Sequence, residues 1–335
     1  MPRSFQSFLI IQTAFIGDVI LATGLIEKLH QHYPEAKIDF LLRKGNEGLL
    51  VGHPLLRTVL IWNKKESKIS NLIKIIKRVK GNRYDCVVNI HRFASSGFIT
   101  AFSGSNLKIG FDKNPLSFAY TKKIKHQIGD LHEVERNQKL IEEITDAKYA
   151  KPKLYPTESD FKKVKPFQTE SYICIAPTSV WFTKQFPAEK WIEFLKSIKH
   201  KVEKIYLLGA SSDQSVCESI RLAAANEQVV NLADKLSFLE SAALIKSAVM
   251  NFVNDSAPMH LASAMNAPVT AIYCSTVPSF GFGPLSDRSI IIETKEKLDC
   301  RPCGLHGFKA CPKGHFNCAY SISNEGLISS LEIIQ

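Results

Sequence analysis

The sequence predicts an α/β protein of two Rossmann-like, doubly wound parallel-sheet domains that face each other across a cleft. Three observations carry this expectation. Apolar runs of strand length alternate with segments of helical period in both halves of the chain, which is the pattern of parallel sheets covered on both faces. A proline- and charge-rich stretch separates the halves. The length, 335 residues, suffices for two separate cores. With 45% hydrophobic and 22% charged residues, the composition is that of a folded globular chain, so disordered and fibrous classes are set aside.

In the first half, SFLIIQ reads as a buried strand. Val19, Ala22, Ile26, Leu29 and Tyr33 follow at helical spacing. AKIDFLL is the next strand, Ile69, Leu72, Ile73, Ile76 and Val79 mark one helix face, and YDCVVNI is a further buried strand. The second half repeats the alternation with SYICIAP, KIYLLG, AVMNFV and APVTAIY. Between these strands lie helices whose inner faces include Trp191, Leu195 and Ile198, then Leu239, Ala243 and Leu244. The separating stretch, KPKLYPTESDFKKVKPFQTE, carries Pro152, Pro156 and Pro166 and is expected to be a linker or hinge. Domains are therefore expected at 1–160 and 161–335.

Charge is unevenly spread. Residues 1–168 hold 28 Lys and Arg against 16 Asp and Glu, and the remainder 15 against 16, so the whole excess of the net +11 lies in the N-terminal half. A field of that sign suits anionic partners, although single exposed lysines usually serve only solvation. The most apolar stretch, Phe8 to Ile26, contains Asp18, and an aspartate inside a membrane helix costs about 2.5 to 3.5 kcal/mol. A soluble chain without a signal sequence is expected. Cys86, Cys174 and Cys274 sit within apolar strands as small hydrophobes, which fits a reducing cytoplasm.

Four segments carry groups suited to chemistry. Thr13 to Asp18 follows the first strand and opens a helix, which puts Asp18 either toward the cleft or in the role of a helix cap. A dinucleotide fingerprint is absent there, which argues against a dehydrogenase. Thr178, Ser179 and Lys184 lie in the loop after SYICIA, where hydroxyls, amides and one ammonium suit a phosphate. Asp255, Ser256, Ala257 and His260 open a helix after AVMNFV, whose first N–H groups suit an anion; the alternative is a capping Asp255 or Ser256 and a structural His260. Finally, Cys300, Cys303, Cys311 and Cys318, spaced C-x2-C-x7-C-x6-C, fit a structural zinc or an iron–sulfur cluster, with disulfides or free thiols as the other readings.

In this order, Ile16-Gly17-Asp18, Lys108-Ile109-Gly110-Phe111, His132 to Asn137, the Thr178 to Pro187 loop, Asp255 to Ala262 and Phe282-Gly283-Pro284 resemble one family: the bacterial glycosyltransferase family 9 enzymes, the lipopolysaccharide heptosyltransferases. The resemblance runs from about Phe8 to the cysteine segment. It implies a GT-B fold, with an N-terminal acceptor-binding domain and a C-terminal nucleotide-sugar-binding domain. It implies inverting transfer of heptose from ADP-heptose to the lipid A–core glycolipid, without a catalytic metal, at the inner face of the cytoplasmic membrane. Asp18 takes the general-base position. Thr178, Ser179, Lys184, Asp255, Ser256, Ala257 and His260 take the donor phosphates, and Gly209 and Asp213 the nucleotide. Gly24 stands where the family commonly has proline, and Ala257 and Thr178 where it often has glycine. Arg57, Arg92 and Lys122, in or near loops, are expected to meet acceptor anions, and lysines 64, 65, 68, 74 and 77 to steer the protein to an acidic membrane. The alternatives are another donor or acceptor within the family, and a basic, metal-bearing nucleic-acid-binding protein; no nucleic-acid partner is expected on the first reading.

Overall fold

The computed structural model describes residues 5–129 and 131–332. It divides into two compact units, Met1–Tyr155 and Pro156–Gln335. The first runs β1 (Ser7–Ile11), α1 (Ile16–His32), β2 (Lys37–Arg43), β3 (Thr58–Trp62), α2 (Lys68–Gly81), β4 (Cys86–Asn89), α3 (Ala94–Ala101), β5 (Leu107–Phe111), β6 (Lys122–Ile124) and α4 (Glu133–Gln138). The second runs α5 (Glu158–Val164), β7 (Tyr172–Ala176), α6 (Ala188–Ser197), β8 (Lys204–Leu207), α7 (Gln214–Ala224), β9 (Val229–Asn231), α8 (Phe238–Ser247), β10 (Met250–Asn254), α9 (Ala257–Ala264), β11 (Val269–Tyr273), β12 (Ser289–Glu293), α10 (Asn317–Tyr320) and α11 (Asn324–Glu332).

Both sheets have the same topology. The first is ordered β3-β2-β1-β4-β5-β6 and the second, from its other edge, β9-β8-β7-β10-β11-β12. Every ladder is parallel. This is the doubly wound order 3-2-1-4-5-6, in which strand order reverses beside the first strand and ligands bind outside the carboxyl ends at that point. The reversal sets Ile11 of β1 beside Asn89 of β4, and Ala176 of β7 beside Val253 of β10. Helices cover both faces: α1 packs with α4 and α2 with α3 in the first unit, and α6, α7 and α11 lie apart from α5, α8 and α9 in the second.

Apolar periodicity explains the cores. Leu9, Ile11, Leu41, Leu60, Trp62 and Val87 pack with Ile75 and Val79 in the first unit. Trp191, Phe194 and Leu195 of α6 pack on Ile173, Ile205 and Phe252 in the second. Truncating a buried Trp191 or Phe194 to alanine should cost about 3–5 kcal/mol. Gly24 has a local cause, because a Cβ there would stand 2.8 Å from the Ala150 carbonyl and from Gln138 Nε2.

Two sequence expectations are corrected. The stretch read as a linker holds the division between the units, at Tyr155 and Pro156, but its later part is not irregular: it forms α5, started by Thr157, whose hydroxyl accepts from the Asp160 amide while the Asp160 carboxylate accepts from the Thr157 amide. On α2 the expected inward face is wrong at two positions: Ile75 and Val79 are buried, whereas Ile69 and Ile73 point to solvent.

Candidate active site

At the first switch point the loop after β1 meets the loop after β4. Asp18 is not the cap of α1 but its third residue; Phe15 precedes the helix, and the Asp18 carboxylate accepts from the Phe15 amide at 3.1 Å. Burial raises the Asp18 pKa above the ordinary carboxylate value, against the opposing pull of the Phe15 amide, Arg92 and Arg43. Thr13 Oγ1 lies 3.2 Å from His91 Nδ1, which also lies 3.2 Å from Ser96 Oγ. Lys64 Nζ donates to the Thr13 carbonyl at 2.9 Å and to its hydroxyl at 3.0 Å, and burial lowers its pKa to about 8. Lys64 is therefore a tether of this loop and not a surface charge steering the protein to a membrane. His91 is held neutral, its pKa pushed down to about 3 by burial and by Lys64, Arg92 and Arg43.

A pocket of about 390 Å³ beside this loop is lined by Arg92, Phe93, Lys113, His126 and Ile128. Glu133, at the start of α4, forms a buried pair with Arg136 at 2.5 Å; burial raises its pKa, and Asp18 pushes it further the same way. Among the expected acceptor residues, Arg92 lines this pocket and the other two are corrected. Arg57 precedes β3, at the amino edge of the sheet, and is locked in a two-pronged pair with Asp39 at 2.9 and 2.5 Å. Lys122 opens β6 at that same edge and pairs with Glu143. Lys113 and His126 were not expected. The signal for them lies in topology, since both follow the carboxyl end of β5 or β6.

At the second switch point, the loop after β7 meets the loop after β10. Lys184 Nζ lies 2.7 Å from the Asp255 carboxylate, which also accepts from Thr276 Oγ1 at 2.6 Å. Asp255, expected as a phosphate ligand, is instead the partner that positions Lys184, since a carboxylate repels phosphate. The Asn254 side chain ties the loops, donating to the Thr178 carbonyl at 3.3 Å and accepting from the Phe186 amide at 2.9 Å. Gln185 Nε2 donates to the Ser179 carbonyl at 2.6 Å. Ser256 occupies the N-cap position of α9 but its side chain makes no capping hydrogen bond; Ala257 opens the helix and His260 is buried within it. Gly209 and Asp213 adjoin at the carboxyl end of β8, with the Asp213 carboxylate accepting from the Ala210 amide at 2.8 Å.

No disulfide joins the eight cysteines, all of them among the described residues, so the disulfide reading is set aside. Cys300, Cys303, Cys311, Cys318 and His315 line one pocket of about 350 Å³ together with Thr183 and Ser275. Cys300 Sγ lies 4.0 Å from His315 Nε2. Among the described residues no three His, Cys, Asp or Glu side chains stand in ligating geometry. The donor set has the composition of a structural thiolate site, but not its geometry. The cysteine segment is bound to the loop after β7: Thr183 N–H donates to the Phe308 carbonyl at 3.1 Å, Phe308 N–H to Thr183 Oγ1 at 2.7 Å, and Ser275 Oγ to Thr183 Oγ1 at 3.0 Å.

Two doubly wound units, each with polar loops gathered at its switch point, have the fold of the GT-B glycosyltransferases. The chain belongs to glycosyltransferase family 9 (heptosyltransferase), whose family model matches residues 72–305. It is 29% identical over 276 residues to lipopolysaccharide heptosyltransferase 3 of Escherichia coli (strain K12), covering 78% of this chain and 80% of that one. In fold it is similar to E. coli ADP-heptose lps heptosyltransferase II, with a TM-score of 0.81, 20% identity and 98% of both chains covered. It is likewise similar to a family 9 glycosyltransferase from Veillonella parvula, with a TM-score of 0.84, 19% identity and coverage of 100% of this chain and 98% of that one.

Proposed function

We propose that this glycosyltransferase transfers a heptose from ADP-heptose to the inner core of lipopolysaccharide by an inverting displacement that needs no catalytic metal. The observation that carries the reading is Asp18, a carboxyl in the first turn of α1 at a switch point, with its pKa raised by burial toward the range of a useful base. The acceptor hydroxyl gives its proton to Asp18 as its oxygen bonds to the anomeric carbon. The bond from that carbon to the β-phosphate oxygen breaks with inversion, and ADP leaves with the electron pair. Lys184, held by Asp255, supplies a directed N–H donor to the departing diphosphate. Thr178, Ser179 and Ser256 hydroxyls and the Ala257 amide supply directed donors, and Gly209 and Asp213 hold the nucleoside.

Lys184 and Asp255 cancel in charge, so donor binding rests on directed hydrogen bonds and not on a broad field. The broad positive field belongs to the N-terminal unit, where Arg92 and Lys113 suit an acidic group on the acceptor sugar, with His126, its pKa lowered to about 4 by burial, as a neutral hydrogen-bonding group. Arg57 and Lys122 are not part of this reading. The relatives' names supply the donor and acceptor; the pocket supplies the expectation that the acceptor is anionic. The enzymatic family leaves the nucleic-acid reading without support.

The test is turnover of Asp18→Asn with ADP-heptose and a core acceptor, alongside calorimetry of ADP-heptose binding. Loss of turnover by about 10²- to 10⁴-fold with unchanged donor binding is expected. Full turnover overturns the mechanism, and preference for a uridine-based donor overturns the substrate.

A further inference from the structure

The outward face of α2, α3 and the segment 114–119 carries aromatic and aliphatic side chains in water. Phe98 of α3 and Phe102, which follows that helix, stack at 6.4 Å with 5° between their planes, and Phe102 is 57% exposed. α2 packs against α3 and presents Ile69, 75% exposed, and Ile73. On the other side of α3, a Cβ at Gly97 would strike Asn114 Oδ1 and Leu116 Cβ, so the segment that leads to Phe118, 79% exposed, lies directly along this helix. Phe93, at the start of α3, is also exposed and lines the pocket with Arg92 and Lys113. The apolar surface thus runs up to the pocket beside Asp18.

The charges around it are mainly positive. From Glu66 to Lys113 the sequence holds nine Lys and Arg and three carboxylates, Glu66, Asp85 and Asp112. Asp85 lies at the amino edge of the sheet, where it accepts from the Gln6 and Ser7 amides at 2.8 and 2.9 Å, away from this face. Lys68, Lys74, Lys77, Arg78 and Lys80 are exposed on α2. Protein interfaces are depleted in lysine, whereas rings and aliphatics set among an excess of lysines match the boundary of an anionic bilayer.

We infer that this face docks the protein on an anionic phospholipid membrane, with the pocket of Arg92, Phe93, Lys113 and His126 opening at the rim of the contact. The inference rests on the reading of a lipid-linked acceptor. Ring insertion supplies grip and the lysines supply attraction, which brings an acceptor anchored in the bilayer to Asp18 without its leaving the lipid.

The test is co-sedimentation of the full chain with phosphatidylcholine vesicles, with and without phosphatidylglycerol. Binding to the phosphatidylglycerol vesicles that weakens with added salt is expected. Lys74→Gln and Lys77→Gln should each lower partition about fivefold. Phe98→Ser with Phe102→Ser should lower it at least about tenfold, while turnover of a water-soluble, delipidated core acceptor stays at the wild-type rate. These rings are already solvated, so the variants should fold, and a thermal melt checks this. Wild-type partition by the phenylalanine double variant, or no binding of the wild type to anionic vesicles, overturns the inference. So does a double variant that loses soluble-acceptor turnover with an unchanged melt. Failure of the wild type to turn over the soluble acceptor counts instead against the proposed function, and leaves vesicle binding as the measure of the docking face.

Discussion

The Lys184 ammonium and the Asp255 carboxylate form a 2.7 Å ion pair, with side chains 14% and 6% exposed, between two loops that lie 71 positions apart in sequence but flank one switch point. Burial makes the pair sensitive to loss of one member. Asp255→Ala should strand a nearly buried ammonium and cost about 3 kcal/mol of stability, measured by denaturant unfolding. Lys184→Met should lose donor affinity by about 1.5–3 kcal/mol, a charged hydrogen bond's worth, measured by calorimetry with ADP-heptose. In a double-mutant cycle the two should not add.

Asp18 should set the acid limb of activity. Its folded pKa lies above the ordinary carboxylate value, with burial as the first cause and Arg92 among the groups that oppose it. kcat/KM should therefore fall as the pH drops through that raised value, and Arg92→Gln should move the limb to higher pH. The stability sign is the reverse of an ion-paired aspartate. Between the unfolded and the raised folded pKa the native state holds more protons, so stability falls as pH rises across that window. Asp18→Asn should thus be at least as stable as the wild type at neutral pH, with the difference shrinking on acidification, measured by thermal melts across pH.

Gly307 should be intolerant of a side chain. Its φ is +74°, and a Cβ there would stand 2.8 Å from Thr183 Oγ1 and 3.0 Å from Lys184 Cγ. Gly307→Ala should cost about 1–3 kcal/mol through the left-handed backbone alone. It should also raise the KM for the donor while sparing the acceptor KM, because the displaced group is the Lys184 loop.

Metal binding should draw the four thiols, which stand outside ligating geometry in this structure, into a structural site when the protein is isolated without oxygen. About one zinc or iron per chain is expected by elemental analysis, lost in Cys303→Ser with Cys318→Ser. Metal-free preparations should show a raised donor KM, since the pocket wall includes Thr183. A wild-type protein without metal, equally active, would return these residues to free thiols.

Much of the site was legible because loops that follow buried strands lie at the carboxyl edge of a parallel sheet. Asp18, Thr178 to Lys184, and Asp255 to His260 all follow strands whose apolar runs are unmistakable, and all lie at switch points. Arg57 and Lys122 failed for the complementary reason. Each immediately precedes or opens a short strand that the pattern did not reveal, so each sits at the other edge. α2 misled because its isoleucines are more numerous than one buried stripe can use.

By itself the amino-acid sequence determined two α/β units, the family, and which loops carry polar chemistry, since these follow from local periodicity and from motifs in fixed order. The tertiary structure alone decided which loops meet, that Asp255 pairs with Lys184, that Lys64 is a half-buried tether, and that Ile69, Phe98 and Phe102 are exposed on or beside two packed helices. The physical reason is that parallel strands are joined through crossovers. Their neighbours, and therefore the partners of every loop side chain, are set by strand order across the sheet, which no local pattern along the chain records.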